Sequence, residues 1–388
     1  MIKAYCVNKY LSDAAVSKIA DAAEKYGYDM TFYNTVEDAA GKVSDGEVIF
    51  CTNPGLLAEM PSLRWCHTAS AGADKFIATG LFGRGAGCHR KMEDEGCLGA
   101  AGDTESNCIS GSAFTNSSVS GDASGAILTN SSGAYGRAIS EHVIMVSLML
   151  LRRIPEYEKI IDNREWKQHL PVRSIAGSNI AIIGTGDIGT TAAKKFRALG
   201  AGKVIGFSRS GRAKGPFDEV YKLDDFTGVI GAAGHEGNKC GSHSDLKATE
   251  PKEEATTNSH FVPDIVVMCI PLTPETDGIF DEEKINVLPE TAYFINVGRG
   301  TTVDQDALVR ALEEGKIAGA ALDVVRTEPL PEDDPLWTTR NLILTPHTSG
   351  DMGLEYTNDV TAEFFCENLR RFAEGEKLIN VVDPAAGY

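Results

Sequence analysis

The feature that most constrains the fold is Gly184-Thr185-Gly186-Asp187-Ile188-Gly189, three glycines at G-x-G-x-x-G spacing. Ahead of it, Ile180-Ala181-Ile182-Ile183 is a short, wholly apolar run, as expected of a parallel strand covered on both faces. Behind it, Ile188, Ala192, Phe196 and Leu199 recur at helical spacing, which predicts one apolar helix face, and Gly200 stands where a left-handed C-cap would end the helix. In a strand–turn–helix unit of this kind the first glycine permits the tight turn and the second lets the backbone approach a pyrophosphate. The third lets helix and strand pack closely, while the helix N-terminus holds the anion. The same spacing without flanking strand and helix would say little. In this context Gly184, Gly186, Asp187, Ile188 and Gly189 are read as a dinucleotide-binding turn.

The next strand bears on which dinucleotide. Val204-Ile205-Gly206-Phe207 runs into Ser208-Arg209-Ser210-Gly211-Arg212, where an NAD site carries a carboxylate for the ribose 2′-hydroxyl. No acid stands there. Arg209, Arg212 and Lys214, with Ser208 and Ser210, suit a 2′-phosphate, so NADP(H) is expected over NAD(H); a solvated basic turn is the alternative.

At 388 residues the chain exceeds one ordinary core, so two domains are expected. Hydrophobic residues at 42% and charged residues at 24% are the proportions of an ordinary globular protein. A net charge of −18 repels polyanions, which argues against nucleic acid or an anionic membrane as the main partner. The N-terminus passes directly into a strand-like run, so no export signal is expected, and the apolar run 143–151 is too short to span a bilayer. Nine cysteines without an export signal point to reduced thiols and a cytoplasmic setting. Cys6, Cys51, Cys66, Cys269 and Cys366 lie in or beside apolar segments and are expected to act as small buried hydrophobes.

Read in order, strands are expected at 2–7, 29–33, 48–51, 63–67 and 127–129, with a helix at 14–26. His67 closes one of these strands as a core or rim histidine. The turn Ser70-Ala71-Gly72-Ala73-Asp74 can offer backbone N–H groups to a carboxylate or can be a plain connection. Gly133 and Gly136 follow as a hinge, and the helix at 139–152 is apolar on nearly every side and must be buried between domains or against a second subunit. Strands at 180–183, 204–207, 265–270, 292–297, 318–324 and 342–345 then alternate with helical segments, which predicts a doubly wound parallel sheet. A last amphipathic helix at 361–374 is expected to return to the first domain. The division is therefore 1–136 with 351–388 as a substrate domain carrying an irregular insertion at 83–125, and 137–350 as the dinucleotide-binding domain with an insertion at 228–260. Cys88, His89, Cys97 and Cys108 in the first insertion, and His235, Cys240, His243 and His260 in the second, match no ligand spacing, so no metal is expected.

Three polar residues stand at the ends of late strands, where ligands of open α/β sheets collect. Arg299 lies in Gly298-Arg299-Gly300, and its planar guanidinium can grip a carboxylate and polarise an adjacent carbonyl. His347 follows Thr345-Pro346, and Glu328 sits in Thr327-Glu328-Pro329-Leu330-Pro331. A carboxylate beside an imidazole favours the protonated ring and fixes its orientation, as a proton donor near pH 7 requires. Singly, the three could be a surface charge, a loop acid and a core histidine.

Together with Gly184–Gly189, the run Val267-Met268-Cys269-Ile270-Pro271-Leu272-Thr273-Pro274-Glu275-Thr276, the block 295–300, and Pro335-Leu336-Trp337, these residues resemble the D-isomer-specific 2-hydroxyacid dehydrogenase family over nearly the whole chain apart from the two insertions. The resemblance implies a Rossmann cofactor domain plus a smaller flavodoxin-like α/β substrate domain. It implies reversible hydride transfer between a nicotinamide and C2 of a small 2-oxo acid, giving the D-2-hydroxy acid. His347 would serve as proton donor, Arg299 would hold the carboxylate and carbonyl, and Glu328 would keep His347 protonated. By the same resemblance Ser70, Ala71 and Gly72 bind the substrate carboxylate, the cofactor site extends to Ile270, Pro271, Thr276, Val297, Gly298, Asp323 and Gly350, and the helix at 139–152 is the seam of a homodimer. Glu328 argues against formate dehydrogenase, whose histidine pairs with glutamine. The end at Tyr388 leads us to expect no regulatory domain and weighs against a phosphoglycerate dehydrogenase-like enzyme. A cofactor-sensing, corepressor-like interaction protein of the same fold is the alternative from another class; such proteins carry disordered tails, whereas the irregular segments here are internal.

Overall fold

The computed structural model describes residues 1–82, 125–212, 215–231 and 260–387. Its strands are β1 Ile2–Val7, β2 Tyr28–Tyr33, β3 Val48–Cys51, β4 Trp65–Thr68, β5 Ile127–Thr129, β6 Ile180–Ile183, β7 Val204–Ser208, β8 Glu219–Lys222, β9 Ile265–Met268, β10 Tyr293–Asn296, β11 Gly319–Leu322 and β12 Leu342–Leu344. The α-helices are α1 Asp13–Lys25, α2 Val36–Ala39, α3 Asp74–Ile77, α4 Gly136–Leu151, α5 Ile154–Asp162, α6 Asp187–Ala198, α7 Phe226–Val229, α8 Glu282–Asn286, α9 Gln305–Glu313 and α10 Glu355–Glu374.

The strands form two sheets, ordered β2-β1-β3-β4-β5 and β12-β11-β10-β9-β6-β7-β8, with every strand pair parallel. The first is the flavodoxin-like order and the second a doubly wound Rossmann-type sheet, so the expected fold class holds. In the larger sheet the chain winds from β6 outward through β7 and β8, then resumes on the other side of β6 at β9. The crevice at that reversal lies at the carboxyl ends of β6 and β9, where ligands of open sheets bind. Burial explains the wholly apolar strands: each residue of β6, β9 and β10 is buried, with one core on each face of the sheet.

The smaller sheet is sealed by α10. Phe365 stacks on Phe50 at 4.7 Å between ring centroids and meets Trp65 at 5.2 Å. Val382 then donates its N–H to the Leu128 carbonyl, beside an antiparallel bridge from Val381 to Thr129. Helix α10 starts at Glu355, six residues ahead of the expected 361, and ends on Gly375 at φ +70°.

Several details depart from the sequence reading. Leu199 is 45% exposed because α6 ends at Ala198; its buried side is Gly189, Ala192, Ala193 and Phe196. The edge strand β8 escapes a hydrophobicity pattern because Glu219 and Lys222 at its two ends are exposed. Gly228 lies inside α7 and Ile230 bridges Phe261, so the second irregular piece starts later than 228. Helix α4 is not covered all round, for Met145 and Leu148 are exposed at 46% and 40%. Cys6, Cys51 and Cys66 are buried, whereas Cys269 and Cys366 are only partly so. Lys214 and the insertion Cys and His residues other than His260 lie outside the described residues.

His67 is a core histidine. It has no exposed surface, its Nδ1 lies 2.7 Å from Thr129 Oγ1 and its Nε2 lies 3.2 Å from Ser131 Oγ. Burial lowers its pKa to about 3. Since the ordinary value is 6.5, the unfolded chain gains a proton below that pH that the folded chain refuses. This single group should therefore subtract stability from pH 6.5 down to about 3, at up to about 1.4 kcal/mol per pH unit. Denaturant titrations of wild type and His67→Gln between pH 7 and pH 4 should show the variant losing stability less steeply; parallel losses would refute this assignment.

Candidate active site

The dinucleotide turn is shaped by its glycines. Gly184 has φ +106°, and a Cβ there would lie 2.9 Å from the Cys269 carbonyl oxygen. At Gly189 a Cβ would fall 1.8 Å from the Gly184 carbonyl oxygen, so only glycine lets α6 close on the end of β6. A Cβ on Gly186 would meet nothing within 4 Å. The backbone is thus open on the side where α6 begins with unpaired N–H groups, a cradle that fits a pyrophosphate. Asp187 turns the other way: its carboxylate accepts from the Gly136 backbone, and burial raises its pKa.

At the end of β7, Ser208 Oγ accepts from Gly211 N at 3.1 Å, closing the turn on which Arg209, Ser210 and Arg212 are exposed. Opposite, after β9, Thr276 Oγ1 donates to the Pro271 carbonyl and accepts from Thr273 N, both at 2.7 Å, so Thr276 closes the loop carrying Ile270 and Pro271. Val297 is buried, and a Cβ on Gly298 would lie 2.6 Å from the Ile270 carbonyl oxygen.

Arg299, Asp323 and His347 follow β10, β11 and β12, neighbours in the sheet. Asn296 holds the arginine turn, accepting from Gly298 N and donating to the Arg299 carbonyl, both at 3.0 Å. Thr302 donates to the same carbonyl at 2.5 Å. Neither support was expected from the sequence, where Asn296 falls within a strand and Thr302 beyond it; their polarity in a buried stretch was the available signal.

The histidine is carried by a carboxylate clamp. Asp323 is 3% exposed and accepts from Thr345 Oγ1 at 2.6 Å, Thr348 N at 2.9 Å and Ser349 N at 3.0 Å. His347 N donates to the Asp323 carbonyl at 2.8 Å, and His347 itself sits at φ +54°. Burial alone would raise the Asp323 pKa, but the hydrogen bonds from Ser349, Thr345 and Thr348 outweigh it and hold the carboxyl below its usual range. His142, on α4, reaches this clamp with Nε2 3.4 Å from Thr345 Oγ1; burial lowers its pKa. Gly350 completes the segment against α4, since a Cβ there would lie 3.1 Å from Tyr135 and 3.3 Å from Ile139. His347 Nδ1 lies 2.8 Å from Glu328 Oε2, while Glu328 Oε1 accepts from Val325 N at 3.2 Å. With the side chains 48% and 36% exposed, this pair is worth only about 0.2–1 kcal/mol of stability, so its effect is orientation.

On the other sheet, the turn after β4 has its carbonyls taken from within. Ser131 N donates to Ser70 O at 3.0 Å, Asn130 Nδ2 to Ala71 O at 2.8 Å and Ser70 Oγ to Gly72 O at 2.5 Å. The N–H groups of Ala71 and Gly72 meet no acceptor among the described residues. Gly72 lies against the arginine: a Cβ there would fall 1.6 Å from Arg299 Nη2. Among the described residues no helix is long and apolar enough to cross a membrane, and no group of three or more His, Cys, Asp or Glu could hold a metal.

A crevice with a glycine-rich strand-to-helix turn on one side and, after β10 and β12, an arginine and a glutamate-paired histidine is the arrangement of a nicotinamide-dependent oxidoreductase. Residues 144–234 and 242–349 match the profile described as "D-isomer specific 2-hydroxyacid dehydrogenase, NAD binding domain". The chain belongs to the D-isomer specific 2-hydroxyacid dehydrogenase family. It is 30% identical to the glyoxylate reductase of Korarchaeum cryptofilum over 264 residues, 67% of this chain and 70% of that protein. The crystal structure of a family member from Aeromonas salmonicida is similar with a TM-score of 0.70 at 27% identity, covering 99% of each chain. A D-isomer specific 2-hydroxyacid dehydrogenase from Xanthobacter autotrophicus, solved in complex with NADPH and MES, gives 0.69 at 25% identity over 100% of this chain and 99% of that one.

Proposed function

We propose that this enzyme uses NADPH to reduce a small 2-oxo acid to the D-2-hydroxy acid, with Arg299, Glu328 and His347 as its catalytic set. The observation that carries the reading is the 2.8 Å contact between His347 Nδ1 and Glu328 Oε2, at the same edge of the sheet as Arg299, which follows β10 two strands away. Glu328 leaves Nε2 as the ring nitrogen available to donate a proton to the carbonyl oxygen, and Arg299 polarises that carbonyl while holding the carboxylate. The N–H groups of Ala71 and Gly72, which meet no acceptor among the described residues, bind the same carboxylate, with Ser70 fixing the turn. When bound, the nicotinamide supplies the hydride. Gly184, Gly186, Ile188 and Gly189 receive the pyrophosphate, and Asp187 sets the start of α6 through Gly136. Ile270, Pro271 and Thr276 border the adenosine, while Val297, Gly298, Asp323 and Gly350 line the nicotinamide side.

Similarity to the Korarchaeum glyoxylate reductase supports a small 2-oxo acid such as glyoxylate as substrate, and the NADPH held by the Xanthobacter structure supports the phosphorylated cofactor. Arg209 and Arg212, with Ser208 and Ser210, receive the 2′-phosphate. In this reading residues 1–136 and 351–388 form the substrate domain and 137–350 the cofactor domain. The exposed Met145 and Leu148 on α4 are the seam of a homodimer that works in the cytoplasm.

Steady-state assays of a 2-oxo acid panel with NADPH and NADH side by side test the reading. His347→Ala should lower 2-oxo acid reduction by about 100-fold or more and leave NADPH binding nearly intact; retained turnover would end the assignment. Replacing Arg209 and Arg212 by serine should raise KM for NADPH at least about tenfold, a loss of one charge-assisted contact, with NADH little changed. Equal effects on the two cofactors would remove the 2′-phosphate argument.

A further inference from the structure

Arg299 reaches from the end of β10 to the smaller sheet, where it meets the carboxylate of Asp74. Its Nε and Nη2 both donate to Asp74 Oδ1, at 3.3 and 2.9 Å, and its Nη1 donates to the Gly298 carbonyl at 2.9 Å. A guanidinium has five N–H bonds. Three are committed here, which leaves one on each terminal nitrogen, the pair that a two-oxygen ligand takes. Asp74 opens α3 directly after the turn that presents Ala71 and Gly72, and a Cβ on Gly72 would stand 3.1 Å from its Oδ1 as well as 1.6 Å from Arg299 Nη2. Carboxylate, guanidinium and turn therefore form one packed unit.

Asp74 is charged in this unit. Burial alone would raise its pKa, but the Arg299 charge and hydrogen bonds, with a smaller contribution from the exposed Lys75, hold it below the usual range. The pair with Arg299 is consequently neutral overall. A ligand carboxylate can still use the directional N–H bonds, whereas a second negative charge on the ligand meets Asp74 nearby and Glu328 across the crevice.

We propose that Asp74 is a positioning and specificity residue, which aims the unused edge of Arg299 over the Ala71–Gly72 turn and restricts the site to 2-oxo acids bearing a single negative charge. The inference rests on the reading of Arg299 as the group that grips the substrate carboxylate. It selects monocarboxylates over dicarboxylic and phosphorylated 2-oxo acids of similar reach.

The test compares wild type, Asp74→Asn, Asp74→Glu and Arg299→Ala on glyoxylate, a monoanion, and oxaloacetate, a dianion, at saturating NADPH. Turnover is read where present and competitive inhibition where not. In Asp74→Asn the kcat/KM for glyoxylate should fall about tenfold while oxaloacetate holds or gains, so the preference for the monoanion drops by at least about tenfold, a size set by one unit charge at short range. Asp74→Glu keeps the charge and should keep the preference, even if packing lowers both rates. A purely structural role would lower both substrates together and leave the ratio unchanged, and that result would overturn the proposal. The glutamate variant supplies the same ratio if the asparagine variant fails to fold; loss of the preference there would also overturn it. Arg299→Ala separates the two levels: loss on both substrates with an unchanged ratio in Asp74→Asn discards only the role of Asp74, whereas retained glyoxylate turnover in Arg299→Ala discards the arginine reading and the proposal with it.

Discussion

The arrangement of the crevice depends on one buried carboxylate. Asp323 is removed from water, a cost that would by itself drive it toward the neutral acid. Hydrogen bonds to an ionised acceptor contribute about 1.5–3 kcal/mol each, and Asp323 receives them from Thr345, Thr348 and Ser349. Together they outweigh burial, so the charge persists and gathers three donors from the segment after β12. The same residue accepts through its carbonyl from His347 N. A histidine in the left-handed region is thereby held by its backbone and its neighbours rather than by its side-chain pair with Glu328, which is exposed and weak.

The second constraint is steric and sits at glycines. Gly189 lets α6 close on β6, Gly298 lets the β10 turn approach Ile270, and Gly72 lets Arg299 cross to the smaller sheet. A methyl group at any of these positions would overlap a backbone atom or the guanidinium. The open side of Gly186 is the counterpart: a backbone left clear at the start of a helix, where partial positive charge favours an anion. The two sheets then present their carboxyl ends to one another, with the Arg299–Asp74 pair joining them.

Much of this was legible in the residues. Fully buried parallel strands read as apolar runs, which is why β3 and β6 fall where hydrophobicity puts them. Edge strand β8 carries no such run and is invisible to that signal. Leu199 shows the limit of periodicity: the spacing continues past Ala198, but the helix does not, so an apolar residue is left in water. The pairing of Glu328 with His347 was expected from their motifs, whereas the Asp323 clamp, the Asn296 and Thr302 braces and the reach of Asp74 to Arg299 were not. Each of those joins residues through a fold-specific distance, up to 225 positions apart in sequence for Asp74 and Arg299, and no local pattern encodes it.

The central claim is that hydride and proton reach a 2-oxo acid held in one orientation between Arg299 and His347. The most direct measurement is the configuration of the product formed from a prochiral 2-oxo acid such as hydroxypyruvate with NADPH, read by chiral chromatography. One orientation predicts the D-2-hydroxy acid as essentially the whole product. An L product or a racemate would contradict this, because with the carboxylate held by Arg299 and the carbonyl oxygen turned to His347 only one face of C2 is open to the hydride.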